Sequence, residues 1–154
     1  MADIVSATTP SRIRTIVRLF REYERFLQVD LCFQRFEEEL AGLPGKYAGP
    51  RGALLLAVEE GHAAGCVALR PLEDGACEMK RLYVRPAHAG RGIGRGLATS
   101  AIDRARGAGY ASMRLDTLEK LTPALRLYRS LGFRECPAYY ENPLPGVVYL
   151  ELKL

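Results

Sequence analysis

The chain has 154 residues, 48% of them hydrophobic, enough to bury one core, and a single domain over residues 1–154 is expected. Its 22 Lys+Arg against 18 Asp+Glu leave a net charge of +4, a mild excess of dispersed arginines that suits a small anionic ligand and argues against a nucleic-acid track. The longest strongly apolar run, ALLLAV at 53 to 58, falls far short of the roughly 20 residues of a membrane span, and four scattered cysteines with no C-x-x-C pair, behind an N-terminus lacking a signal-peptide core, predict a cytoplasmic protein with reduced thiols.

In chain order, ADIVSA is a short strand. Thr9 as N-cap and Pro10 at the first helical position open a helix whose apolar residues Ile13, Ile16, Val17, Phe20, Tyr23 and Leu27 recur at three- and four-residue steps. Arg14, Arg18, Arg21 and Arg25 stripe its other side and are read as a solvated face without a role, the alternative being a contact to a polyanion such as nucleic acid. FQRFEEELAGL at 33 to 43 is a second, shorter helix closed by Pro44-Gly45. The period then changes to two: ALLLAVEE (53 to 60), AAGCVALR (63 to 70) and ACEMKRLYV (76 to 84) form an antiparallel meander.

A loop rich in arginine and glycine follows, then a helix marked by Ile93, Leu97, Ala101, Ile102 and Ala105. SMRLDT (112 to 117) is a strand, and Thr122-Pro123 starts a helix that stops at Gly132. Two strands, about 133 to 139 and 147 to 153, finish the chain. The order β-α-α-β-β-β-α-β-α-β-β predicts an α+β fold, an α/β sandwich with a mixed, mostly antiparallel sheet of six to seven strands flanked by about four helices. An exposed final strand is able to pair across a two-fold, so a homodimer is compatible with the pattern.

The loop is AHAGRGIGRGLA at 87 to 98, with glycine at 90, 92, 94 and 96 and arginine at 91 and 95. Between a strand and a helix its free N–H groups face forward with the helix dipole behind them, a place that binds phosphate. The dinucleotide fingerprint G-x-G-x-x-G fails, because the sixth position from Gly90 is Arg95 and from Gly92 is Leu97. The P-loop pattern fails because no Lys-Ser or Lys-Thr pair follows.

LYVRP (82 to 86) followed by GRGIGRGL (90 to 97) resembles instead the acyl-CoA-binding segment of the GNAT superfamily of N-acetyltransferases. ALRLYRSLGF (124 to 133) resembles the same family's helix, with its tyrosine, a glycine four residues on and then an aromatic. The resemblance implies an acyl-CoA N-acyltransferase fold and acetyl-CoA as co-substrate. It further implies that the amides of Gly90, Arg91, Gly92, Ile93 and Gly94 cradle the pyrophosphate, helped by Arg91 and Arg95, while the pantetheine arm pairs with the strand edge at Leu82, Tyr83 and Val84. Two positions depart from the family pattern. Ala89 stands at the coenzyme-binding position where Arg or Gln is usual, and Leu121 where many members have asparagine.

The implied reaction is direct attack of a primary amine on a thioester in a ternary complex. An alkyl ammonium with a pKa of about 10.4 must first lose a proton. The resemblance implies Glu78 as base, against its reading as a surface carboxylate paired with Lys80. It implies Tyr128 as the acid that protonates or orients the departing thiolate, against its reading as a core tyrosine on the seam with Leu127 and Leu131. A main-chain N–H at Leu82 or Val84, exposed where the strand bulges, would serve the developing oxyanion.

His62 and His88 are read as solvated loop residues, and no metal-ligand constellation is present. Asp30, Gln34 and Glu37 to Glu39, with Tyr139, Tyr140 and Glu141, either line an acceptor pocket or, for the glutamates, form a solvated helix face. The expected partners are acetyl-CoA and an amine acceptor, a small molecule before a protein lysine or N-terminus, with neither nucleic acid nor membrane. The alternative is a non-catalytic acyl-CoA-binding module.

Overall fold

In the computed structural model, which describes residues 2–154, seven strands form one sheet in the order β1-β2-β3-β4-β5-β7-β6. The strands are β1 (Asp3–Ser6), β2 (Ala53–Glu59), β3 (His62–Pro71), β4 (Ala76–Val84), β5 (Ser112–Leu118), β6 (Arg134–Glu135) and β7 (Val147–Lys153). Four α-helices accompany them: α1 (Pro10–Leu27), α2 (Phe36–Ala41), α3 (Ile93–Gly107) and α4 (Thr122–Ser130). Every neighbouring pair is antiparallel except β4 and β5, which run parallel. Parallel neighbours need a crossover, and the loop at 85 to 92 with α3 supplies it.

Helices cover both faces of the sheet, which explains why ALLLAV reads as a continuous apolar run rather than an alternation. Ala53, Leu55 and Ala57 of β2 join the core beneath α3 and α4, whereas Leu54 and Leu56 join the core beneath α1 and α2. In α1, Thr9 caps the helix by accepting a hydrogen bond from the Arg12 amide at 3.2 Å. Ile16, Leu19, Phe20 and Leu27 are buried on its inner face, and Arg14, Arg18, Arg21 and Arg25 lie on the exposed one.

Three expectations of the sequence change. The segment 33 to 43 is not one helix: Cys32–Gln34 is a 3-10 turn, Arg35 takes φ 57°, and α2 begins only at Phe36. The strand expected at 133 to 139 shrinks to Arg134–Glu135, because the chain leaves the sheet to bring Tyr139 and Tyr140 inward. The final strand is not a bare edge either: β7 lies between β5 and β6, and the sheet's outer strands are β1 and β6.

Candidate active site

The cleft arises where β4 and β5 part. Their parallel pairing covers only Ala76, Cys77 and Glu78 against Ser112, Met113 and Arg114. Beyond it β4 stays bonded to β3 as far as Val84, and β5 to β7 as far as Leu118. A bulge in β4 causes the divergence: the register slips between Cys66 and Ala68, and Arg81 takes φ 60°. One extra residue bends a strand and reverses which face its later side chains serve. Thus Cys77 and Met79 face the α3 core before the bulge, and Leu82 and Val84 pack against that same core after it.

Gly65 makes the bend possible, since a Cβ there would lie 2.5 Å from the Tyr83 carbonyl oxygen. The Arg85 amide donates to the Ala64 carbonyl, so the Arg85 N–H faces β3. By alternation the Val84 N–H, opposite Gly65, points away from β3 and into the opening. The resulting cleft holds about 320 Å³ and is walled by Leu82, Tyr83 and Val84 of β4, Asp116 to Leu118 of β5, and Ala124, Leu127 and Tyr128 of α4.

At its mouth lies the glycine loop. Ala89, Gly90, Gly92, Ile93 and Gly94 line the cleft. Gly90 and Gly92 take φ 77° and 78°, the left-handed region that favours glycine. Six successive amides, Gly90 to Arg95, donate to no acceptor among the described residues; the first helical bond of α3 is Gly96 N–H to Gly92 O. Gly92 caps the helix without a side-chain bond. A row of free donors at the positive end of a 15-residue helix fits a polyphosphate without needing a side chain at Ala89.

The two loop arginines lie elsewhere than the sequence suggests. Arg91 Nη1 donates to Glu59 Oε1 at 2.8 Å and Arg95 Nη2 to Ser130 Oγ at 2.6 Å, and neither side chain walls the cleft. His88 is half-buried rather than a solvated loop residue, with Nδ1 2.7 Å from the same Glu59 oxygen. An acceptor-only carboxylate makes that nitrogen the donor. Hydrogen bonds from His88 and Arg91 hold the Glu59 carboxyl below its ordinary range. Glu59, on β2, thereby ties down the start and the middle of the loop.

Inside the cleft, Tyr128 is 7% exposed and its hydroxyl has no hydrogen-bond partner among the described residues. Burial raises its pKa, so it stays a protonated donor at neutral pH. Glu78 is not the surface carboxylate of the alternative reading: it is 0% exposed, one oxygen accepts from Arg70 Nε at 2.6 Å, and the other accepts from the Tyr139 hydroxyl. It is absent from the cleft wall.

The ionisable groups that do line the wall include Lys80 and Asp116. Lys80 Nζ donates to Gln34 Oε1 at 3.0 Å, and Gln34 Nε2 donates to the Tyr140 hydroxyl at 3.1 Å. Asp116 Oδ2 accepts from the Tyr140 hydroxyl and from Asn142 Nδ2, leaving Oδ1 without a partner among the described residues. Gln34 therefore lines the cleft, as one reading of the sequence had it, whereas Tyr140 stands behind it, bonded to Gln34 and Asp116. Glu37 and Glu38 instead form exposed pairs with Arg21 and Arg35, and Glu39 pairs with Arg81. Asp116 and Asn142 carry no sequence signal. Asp116 sits in an ordinary strand pattern, and only the departure of β4 uncovers it.

A cleft between parting parallel strands, closed by a donor-rich helix start and a buried tyrosine, is accompanied by a direct match. A family model described as Acetyltransferase (GNAT) family covers residues 13–133. The chain belongs to the GNAT acetyltransferase family. An uncharacterized N-acetyltransferase of Schizosaccharomyces pombe is 44% identical over 99% of this GNAT chain and 94% of its own. N-acetylaspartate synthetase of Danio rerio is 32% identical over 71% of this chain and 39% of its own. Among solved structures, the PaiA N-acetyltransferase of Thermoplasma acidophilum in complex with coenzyme A has the same fold, with a TM-score of 0.77 over 100% of this chain and 99% of its own at 17% identity. Among the described residues no helix is long and apolar enough to cross a membrane.

Proposed function

We propose that the protein transfers an acetyl group from acetyl-CoA to the primary amine of a small molecule. The observation that carries this reading is the run of six unpaired amides, Gly90 to Arg95, opening onto a cleft whose far wall holds Tyr128. The coenzyme supplies a thioester, an activated acyl group with a thiol leaving group. The chain's own residues do the rest. The loop amides take the pyrophosphate, the Val84 N–H and its neighbour at Leu82 offer donors to the acyl oxygen, and Tyr128 offers a proton to the sulfur.

Asp116, with Oδ1 free at the wall, accepts hydrogen bonds from the acceptor's ammonium and passes its proton to water. Glu78, with both oxygens engaged, is a positioning residue for Arg70, Lys80 and Tyr139 rather than the group that meets the amine. Arg91 and Arg95 act by holding the loop's shape through Glu59 and Ser130. The relative named N-acetylaspartate synthetase favours a small amine over a protein lysine.

The test combines calorimetric titration with coenzyme A and acetyl-CoA-dependent thiol release over a broad amine panel. Saturable coenzyme binding together with amine-dependent thiol release is expected. Binding without release on any amine would leave a coenzyme-binding module and sink the proposal.

A further inference from the structure

At the interior end of the cleft, Lys80 is a cation that the described residues neutralise only weakly. Arg81 also reaches the wall, but Glu39 holds it with two hydrogen bonds of 3.1 and 3.0 Å. Arg85, near the mouth, is held by Glu22 at 2.9 and 2.7 Å. Lys80 has no such partner. Its one close acceptor is the neutral Gln34 amide oxygen, and the nearest carboxylate, Glu78 Oε1, is 3.9 Å away and already spent on Arg70 at 2.6 Å. The Lys80 side chain is only 6% exposed, so water does little to solvate this ammonium. A buried charge whose counter-ion is distant and shared is costly, and it persists most readily where a ligand completes it.

The opposite charge lies across the same cleft. Asp116 keeps Oδ1 free, and no Lys80–Asp116 ion pair forms within 4.0 Å, yet its field is felt both at Lys80 and at the Tyr128 hydroxyl. Ammonium and carboxylate thus stand apart on the two strands that bound the cleft, with the carboxylate within electrostatic reach of Tyr128.

We infer that the acceptor is an amino carboxylate, a small molecule carrying a carboxylate a few atoms from its amine. Lys80 Nζ takes the carboxylate, and Asp116 takes the ammonium and directs it to the thioester. This deepens the acetyl-transfer reading and rests on it. In the reaction the ammonium loses one proton by way of Asp116 to water, the freed amine nitrogen bonds to the acyl carbon, and the carbon–sulfur bond breaks. The adduct's nitrogen gives up its second proton by the same route, and the sulfur departs as the thiol with the proton from Tyr128, which water then restores, so that one proton is released overall.

The charged groups facing Lys80 set the pH behaviour. They are Glu78 and Arg81 on its own strand, Asp116 on β5, and Lys46 from the segment before β2. Burial pushes the Lys80 ammonium down to about 8 against the pull of Glu78. A bound carboxylate favours the charged form. Recognition of the acid is therefore intact below pH about 8 and is lost as pH rises through that value.

The experiment measures acetyl-CoA-dependent thiol release with amino acids, α- and ω-, each against its own carboxamide. The best acid should exceed its amide by roughly 10- to 10²-fold in kcat/KM, the range for a charge-assisted hydrogen bond. That ratio should fall above pH about 8. Lys80→Met should bring it near one without changing the KM for acetyl-CoA. Amides used as well as acids, or a Lys80→Met loss equal for both, would overturn the inference; the latter would make Lys80 a proton acceptor instead. If Lys80→Met does not fold, the ratio and its pH dependence in the unaltered protein decide. An absence of thiol release with every amine fails the acetyl-transfer reading, whereas release without preference for the acid fails only this one.

Discussion

Tyr128 and Glu78 illustrate how one buried environment gives two side chains different tasks. Desolvation keeps the Tyr128 hydroxyl protonated, but a tyrosine is a weaker acid than a thiol with a pKa near 8.5, so in the proposed reaction its main service would be to orient a sulfur that already leaves well. Tyr128→Phe removes that hydroxyl and keeps the ring's contact with Phe133 at 5.8 Å. Steady-state kinetics should show kcat falling by roughly 10²-fold with the thermal midpoint preserved, and full activity would refute the role. Glu78→Gln should do the reverse. Breaking a fully buried pair costs about 3 to 5 kcal/mol, discounted here to about 2 because Arg70 is 27% exposed. Denaturant unfolding measures that loss. Removing the carboxylate that supports the Lys80 ammonium should also move its titration below about 8, carrying any alkaline loss of acceptor recognition to lower pH.

Between elements, the decisive event is the parting of β4 from β5, and it depends on local features of unequal visibility. The alternating glycines are legible because a chain needing φ near 78° at positions 90 and 92 selects glycine. The strand before them and α3 after them follow from simple periodicity. The bulge at Arg81 leaves no mark, since an arginine at positive φ looks like any other in ACEMKRLYV. Nor do the partners of the loop side chains: Arg91 lies 32 residues from Glu59 in sequence, and that pairing exists only once β2 lies beside the loop. Gly65 carries the bend, with Tyr83 O, Leu97 Cδ1 and Val84 Cα at 2.5, 3.2 and 3.2 Å from a hypothetical Cβ. Gly65→Ala forces β3 from β4 at about 1 to 3 kcal/mol, as overpacking does. The thermal midpoint should drop by roughly 2 to 12 °C, and the KM for acetyl-CoA should rise because the cleft edge moves. An unchanged midpoint would show that the bend does not need glycine there.

Across the whole molecule, the cleft is lined by residues of both cores, the two layers that the sheet separates. Leu82 and Val84 belong with the layer under α3 and α4, while Tyr83, Leu118 and Leu121 belong with the layer under α1 and α2. All five residues line the same opening. A ligand seated there binds the native state and has no counterpart in the unfolded chain, so it adds RT ln(1 + [L]/Kd) to stability, about 2.7 kcal/mol at one hundred times Kd. For a chain of this size, coenzyme A at that excess should raise the thermal midpoint by roughly 5 to 10 °C. If the cradle consists of loop amides held by Glu59, then Glu59→Ala, which frees His88 and Arg91 together, should shrink the shift while a midpoint remains measurable without ligand. Arg95→Ala, which loses only a surface hydrogen bond to Ser130, should shrink it less. A shift equally large in Glu59→Ala would mean that the loop keeps its shape without its anchor, and that the two positive-φ glycines alone set the course of the backbone.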